Sequence, residues 1–364
     1  MSNKKNEKSF LFFKKNSDLQ TVSIVMFFLV VAVVLFQIIT GLIGGKGLQY
    51  PSFIYPSNIF NILAQVTAVG IMSMGMTTVM LCGGIDLSVG LMTSLVAIFI
   101  AKAVMDWSIA PAVAVILAIL ICIALELIMG FIIAWLNVEA FIITLGGMMV
   151  CRGIALLICH SQEVAMQQNL AWFKTNIFDW FNAEGVKLFD RKLNLPYYVL
   201  IFIALAILTW AMLKYTRFGR RIYAVGNNPQ AAFLSGINVK MTKLLAFAFN
   251  GLCVGIGATM QLVRVNTGII TVGQNMEIDV IAAVVIGGVA MSGGKGNVMG
   301  AFIGAILMGS ITTAMTLLGL QSEWQFLAKG LIVIVAVSGG AISEILTQRK
   351  AIKAREAAEK LKAA

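Results

Sequence analysis

The chain is poor in almost everything that marks a soluble enzyme. Charged residues make up 12% of its 364 positions, and there are 5 prolines and a single histidine. A soluble domain carries about 25% charged residues. So little charge cannot cover a water-exposed surface, and a hydrophobic content of 59% excludes a disordered or fibrous chain as well. The five cysteines (Cys82, Cys122, Cys151, Cys159, Cys253) fall in or beside apolar runs and form no CxxC pair. They read as buried free thiols, with no disulfide framework or zinc site. No HExxH, GxSxG elbow or paired-carboxylate motif occurs, and His160, at the end of an apolar run, reads as structural. A phosphate loop is missing too. The best decoy, Gly288 to Gly296, has Val289 where the first glycine must stand and Gly296 where Ser or Thr must follow Lys295.

What is there is apolar sequence in span-sized pieces. A helix crosses about 30 Å of hydrocarbon in about 20 residues. Ten such runs lie near 21–43, 59–81, 88–105, 110–136, 140–158, 197–213, 244–264, 278–291, 297–319 and 324–343. The expected fold is an all-α polytopic membrane protein of about ten transmembrane helices. Residues 1–20 form an N-terminal tail, 21–343 the transmembrane domain and 344–364 a C-terminal tail. The first run is too long for a signal-peptide core and is read as a retained span. The run 278–291 is short for a full crossing, and Gly83-Gly84 breaks another. Gly-interrupted segments of this kind often line a transport path.

The net charge of +11 is mostly a topology signal. With ten spans and the N-terminus inside, 18 of the 27 basic residues fall on the cytoplasmic side. Six of them (Lys214, Arg217, Arg220, Arg221, Lys240, Lys243) lie in loop 214–243, which contains no acid. The long outer loop 161–196 balances its basic residues with acidic ones. Lys and Arg collect on the cytoplasmic side of membrane proteins, so both termini are expected there, with lipid and not nucleic acid as the surrounding partner. Spans two to five and seven to ten are of similar length, which admits an inverted repeat, although no side-by-side sequence match is visible.

Charges inside the spans are few: Asp86, Glu126, Arg152 and Lys329. Glu126 and Arg152 fall on neighbouring spans and are expected to pair. The GGIDLSVG stretch holds Gly83 and Gly84, which permit a tight turn, followed by Asp86 and Ser88 where a helix restarts. Asp86 is either a structural cap favoured by the helix dipole or a gate residue beside the transport path. Gly251 and Gly255 in one span, and Gly296, Gly300 and Gly304 in another, recur every four residues. Such stripes let helix backbones approach closely. Trp172, Phe173, Phe178, Trp180 and Phe181 in the outer loop suit an aromatic belt or a docking surface.

Loop 214–243 carries the most information. Asn228 and Pro229 have the chemistry of a helix start. A helix over Pro229–Ser235 then stops at Gly236, which suits the left-handed position after a helix end. Two isolated turns are unstable in water, so this helix must pack, either against the membrane surface or against a cytoplasmic partner.

The stretch Gln230-Ala231-Ala232 through Gly236 resembles the EAA---G motif of permease subunits in ATP-binding-cassette importers, with Gln in place of Glu. Four blocks are similar to the ribose/xylose-type monosaccharide permease family: Gly83 to Gly90; Phe141 to Gly146 with Arg152-Gly153; Arg217 to Val239; and Ile286-Gly287-Gly288 to Gly296. They occur in order over roughly residues 58–343. The resemblance implies the transmembrane subunit of an importer that moves a ribose-, xylose- or galactose-like sugar inward. It implies separate ATP-binding subunits, an extracytoplasmic sugar-binding protein and a second permease subunit, identical or related. It implies no cofactor and no catalysis in this chain, with ATP and Mg bound by the partner. Asn228, Pro229, Gln230, Ala231, Ala232 and Gly236 would couple to the ATPase. The competing expectation is a self-sufficient ion-coupled secondary transporter, against which the docking loop and the scarcity of buried charge both count.

Overall fold

The computed structural model describes residues 56–166 and 195–335, with isolated positions outside these ranges. Most of the span expected at 21–43, both tails and the aromatic cluster of the outer loop lie outside the described residues. Among the described residues the chain forms α1 (Pro56–Leu81), α2 (Val89–Met105), α3 (Pro111–Leu136), α4 (Ala140–Cys159), α5 (Tyr198–Tyr215), α6 (Arg217–Asn227), α7 (Pro229–Leu234), α8 (Val239–Val265), α9 (Met276–Ile286) and α10 (Val298–Leu317). Residues 322–335 are also helical. Six of these, α1, α3, α4, α5, α8 and α10, are long and apolar enough to cross a membrane.

The helices divide by what surrounds them. α1, α8 and α10 are buried for most of their length, whereas α3, α4 and α5 keep broad apolar faces outside. Ile116, Leu120, Ile128 and Leu157 are among the exposed residues. In water such faces would be untenable; in lipid they are the natural outer shell. α8 is the central post and packs against α1, α2 and α3. Its 27 residues extend about 40 Å at 1.5 Å per residue. Gly251 and Gly255 bring it onto α3, because a Cβ at either would fall 2.8–2.9 Å from the backbone of Cys122 or Ile119. Gly300 and Gly304 do the same for α10 on α9. Gly296 is not part of that stripe: it lies before α10 in a turn, with φ of +129°.

Two stretches enter the bundle without helical structure. Residues 82–88 leave the end of α1 and reach the middle of α8 before α2 begins. Residues 266–275 run back along α2 from the opposite end: Gly268 lies against Ala97 and Ala101, and Gly273 against Gly90. Ser94 Oγ fastens the second stretch, donating to the Ile270 carbonyl at 2.6 Å and accepting from the Gly273 amide at 3.1 Å. α9 then has only 11 residues, about 16 Å, or half a hydrocarbon core. Irregular backbone inside a membrane is tolerated only where protein or a cavity surrounds it. At the same end as the 266–268 segment, β4 (Thr267–Gly268) pairs antiparallel with β1 (Val164–Ala165). A second small pair joins β2 (Lys187–Leu188) to β3 (Arg191–Lys192).

Candidate functional site: a helix pair on a glycine junction

α6 begins at Thr216, whose hydroxyl accepts from the Gly219 amide at 3.2 Å. Its apolar side, Ile222 and Val225, is buried, and its arginines face out. The sequence reading missed this helix. The signal was there in the helical spacing of Phe218, Ile222 and Val225 within a basic stretch. α7 follows after one residue. Asn228 Oδ1 accepts from the Ala231 amide at 2.9 Å, and Pro229 occupies the first turn. The helix ends at Leu234, one residue before the expected end, and Ser235 closes it. Gly236 takes φ of +80° and donates to the Phe233 carbonyl, while Ile237 donates to Ala232. These bonds satisfy carbonyls that the helix end leaves open.

On α7, Ala232 is buried, and Gln230 and Ala231 are exposed. Two large apolar residues stand in the open: Phe233 is 70% and Leu234 85% exposed. Nothing lies within 4 Å of a Cβ built on Gly236. Arg217, Arg220, Arg221 and Lys240 of the same loop are exposed as well. An apolar tip is thus left in the open on a loop whose basic residues are also exposed.

The other end of this helix pair is wedged tightly. A Cβ on Gly226 would run into the Leu81 carbonyl oxygen and fall 2.5 Å from the Gly294 amide. Gly294 donates to that same Leu81 oxygen at 2.9 Å. Tyr223 donates its hydroxyl to the Gly296 carbonyl at 3.0 Å, and Asn227 Nδ2 reaches the Gly294 carbonyl at 3.4 Å. Gly83, with φ of +81°, faces the same junction: the Cβ position of Gly293 lies 2.9 Å from its amide nitrogen. Three separate motifs therefore meet at one point: the end of α1 with its Gly83-Gly84 turn, the end of α6, and the glycine turn before α10.

The Gly83-Gly84 turn leads to the second cluster. Residues 85–88 are not the helix restart expected for them, since α2 starts at Val89. Asp86 stabilises the extended stretch instead. Its Oδ1 accepts from the Ser88 amide at 2.8 Å and the Ser88 hydroxyl at 2.7 Å. Its Oδ2 accepts from Asn250 Nδ2 at 2.6 Å. The same Asn250 nitrogen donates to Glu126 Oε1 at 3.0 Å. The expected Glu126–Arg152 pair is therefore not formed: Glu126 turns inward to α8, and Arg152 is exposed on α4. The reason is packing, because Gly251 brings α8 against the Glu126 stem. Lys329 pairs with Asp279 of α9 at 2.8 Å.

Residues 58–337 match the family described as branched-chain amino acid transport system / permease component. The chain belongs to that family. A ribose import permease protein of Escherichia coli strain K12 is 35% identical over 79% of this chain and 86% of its own length. A galactose/methyl galactoside import permease of the same strain is 32% identical over 92% of this chain and 96% of its own. A xylose transport system permease of Haemophilus influenzae is 31% identical over 79% and 89%. No solved structure matches the chain. The family assignment and the apolar helices make this permease component a multi-pass inner-membrane protein.

Proposed function

We propose that this permease component is the membrane pathway of an ATP-driven importer for a monosaccharide of the ribose, xylose or galactose type. The relatives' names supply the substrate class. The observation that carries the mechanism is α7, a short capped helix whose apolar tip is exposed at one end and whose partner helix α6 is locked into the bundle at the other. In this reading α7 seats in a cleft of a separate ATP-binding subunit, which holds ATP and Mg. Asn228 and Pro229 shape the helix, Gln230 and Ala231 lie on its docking side, and Ala232 and Gly236 set its fit. An extracytoplasmic protein delivers the sugar, and a second permease subunit completes the pathway. Loop 214–243 and both termini face the cytoplasm, in keeping with the distribution of basic residues.

Closure of the ATP-binding dimer moves α7 as a rigid body with α6. The tight junction at Gly226 passes that displacement to the ends of α1 and α10, and packed elements of this kind switch between discrete arrangements. Asp86 and Ser88 hold the stretch beyond the Gly83-Gly84 turn in place. The test is uptake by proteoliposomes holding the assembled complex. Transport should need ATP and the ATP-binding subunit; uptake driven by a proton or sodium gradient without them would refute the proposal.

A further inference from the structure

Asp86, Glu126 and Asn250 come from three separate elements, the 82–88 stretch, α3 and α8, and all three side chains are completely buried. They meet in the interior of the bundle. Asn250 lies eleven residues into α8, and Glu126 ten residues before the end of α3. One amide nitrogen serves both carboxyls, at 2.6 Å and 3.0 Å, and so holds the two acids side by side.

The two acids are not equivalent. Asp86 accepts from the Ser88 amide, the Ser88 hydroxyl and Asn250, a donor set suited to a carboxylate. Glu126 accepts one bond, and its Oε2 is buried with no partner. No basic residue pairs with it among the described residues; the other titratable groups around it are the thiols of Cys122 on its own helix and Cys151 on α4. Asn250 Oδ1 is buried and unpartnered too, pressed against Gly75. A second uncompensated negative charge here would carry the full desolvation cost of a buried ion beside a like charge.

We propose that this cluster is a proton-binding site: Glu126 carries a resident proton on Oε2, which it donates to the Asp86 carboxylate. The proton converts two repelling carboxylates into a hydrogen-bonded acid–carboxylate pair bearing one negative charge. That charge is held by the Ser88 donors and the Asn250 amide. The pair ties α3 and α8 to the 82–88 stretch. Asn250 cannot be flipped, because its oxygen would then face both acids.

The infrared spectrum of the full-length chain in lipid nanodiscs tests this. A carbonyl stretch of a protonated carboxylic acid should be present from mildly acidic to mildly alkaline buffer. It should shift when glutamate side chains carry a ¹³C carboxyl, and vanish in Glu126→Gln. Glu126→Gln, which keeps a donor at the same place, should match the unmodified chain in thermal stability across that pH range. Asp86→Asn, which removes the acceptor, should melt lower. Absence of the band, or a Glu126→Gln protein that fails to fold while Asp86→Asn is tolerated, overturns the proposal. A band absent together with stabilisation by added monovalent cations at constant ionic strength overturns it in favour of a metal-cation site.

Discussion

The Tyr223 hydroxyl donates to the Gly296 carbonyl at 3.0 Å, a strut between the helix that carries the exposed loop tip and the turn that starts α10. It joins residues 73 positions apart and has no backbone equivalent nearby on α6. Removing it with Tyr223→Phe should cost about 1 kcal/mol of stability, as for one hydrogen bond. Assembly should survive while less sugar is moved per ATP hydrolysed, read from parallel uptake and phosphate-release assays in proteoliposomes.

Two glycines of the same loop should respond differently. Gly226→Ala drives a methyl into the Leu81 carbonyl and the Gly294 amide, so the junction must open. We expect a loss of at least about 1–3 kcal/mol, the range for overpacking a tight contact, and a poor yield of folded protein. Gly236→Ala meets open space. Only its positive φ is penalised, at about 1–2 kcal/mol; that penalty falls on the exposed end of α7, which can fray by itself, so unfolding of the bundle should move little. Thermal unfolding of the two variants side by side decides this.

Phe233 and Leu234 make few contacts within the chain and should matter only to a partner. Phe233→Ser with Leu234→Ser should leave the melting temperature unchanged. Affinity for the ATP-binding subunit should fall about tenfold or more, the effect of losing well-packed apolar anchors worth 1.4 kcal/mol together or above. Titration of the labelled subunit into nanodiscs measures it.

The Asn228 cap separates geometry from side-chain identity. Asn228→Ala should weaken α7 by about 1 kcal/mol, whereas Asn228→Asp keeps an acceptor for the Ala231 amide and should retain docking. The binding titration distinguishes them: equal losses in both variants would mean that the cap does not act through helix formation.

Local chemistry in this chain was legible and distant pairing was not. Asn228, Pro229 and Gly236 act within a few residues, and their roles in bounding α7 follow from backbone rules alone. The short run at 278–291 likewise announced the half-length α9. The Glu126–Arg152 expectation failed because span adjacency says nothing about which way a side chain turns; Gly251 decided it by drawing α8 onto α3. Asn250 is 164 residues from Asp86 and 124 from Glu126. Its presence as an amide in an otherwise apolar run was the available signal, since polar side chains in a span need a partner. The glycine junction was visible as three motifs but not as one place, because close backbone approach leaves no mark on sequence beyond the glycines themselves.

The central claim is that force from ATP hydrolysis enters through α7. The most direct measurement is the number of sugar molecules delivered per ATP hydrolysed by reconstituted importers carrying Gly236→Trp. The indole would fill the open space beside Gly236 that a docked subunit must occupy. The account predicts that the chain folds and reaches the membrane but that the ratio collapses toward zero. An unchanged ratio with unchanged uptake would contradict it.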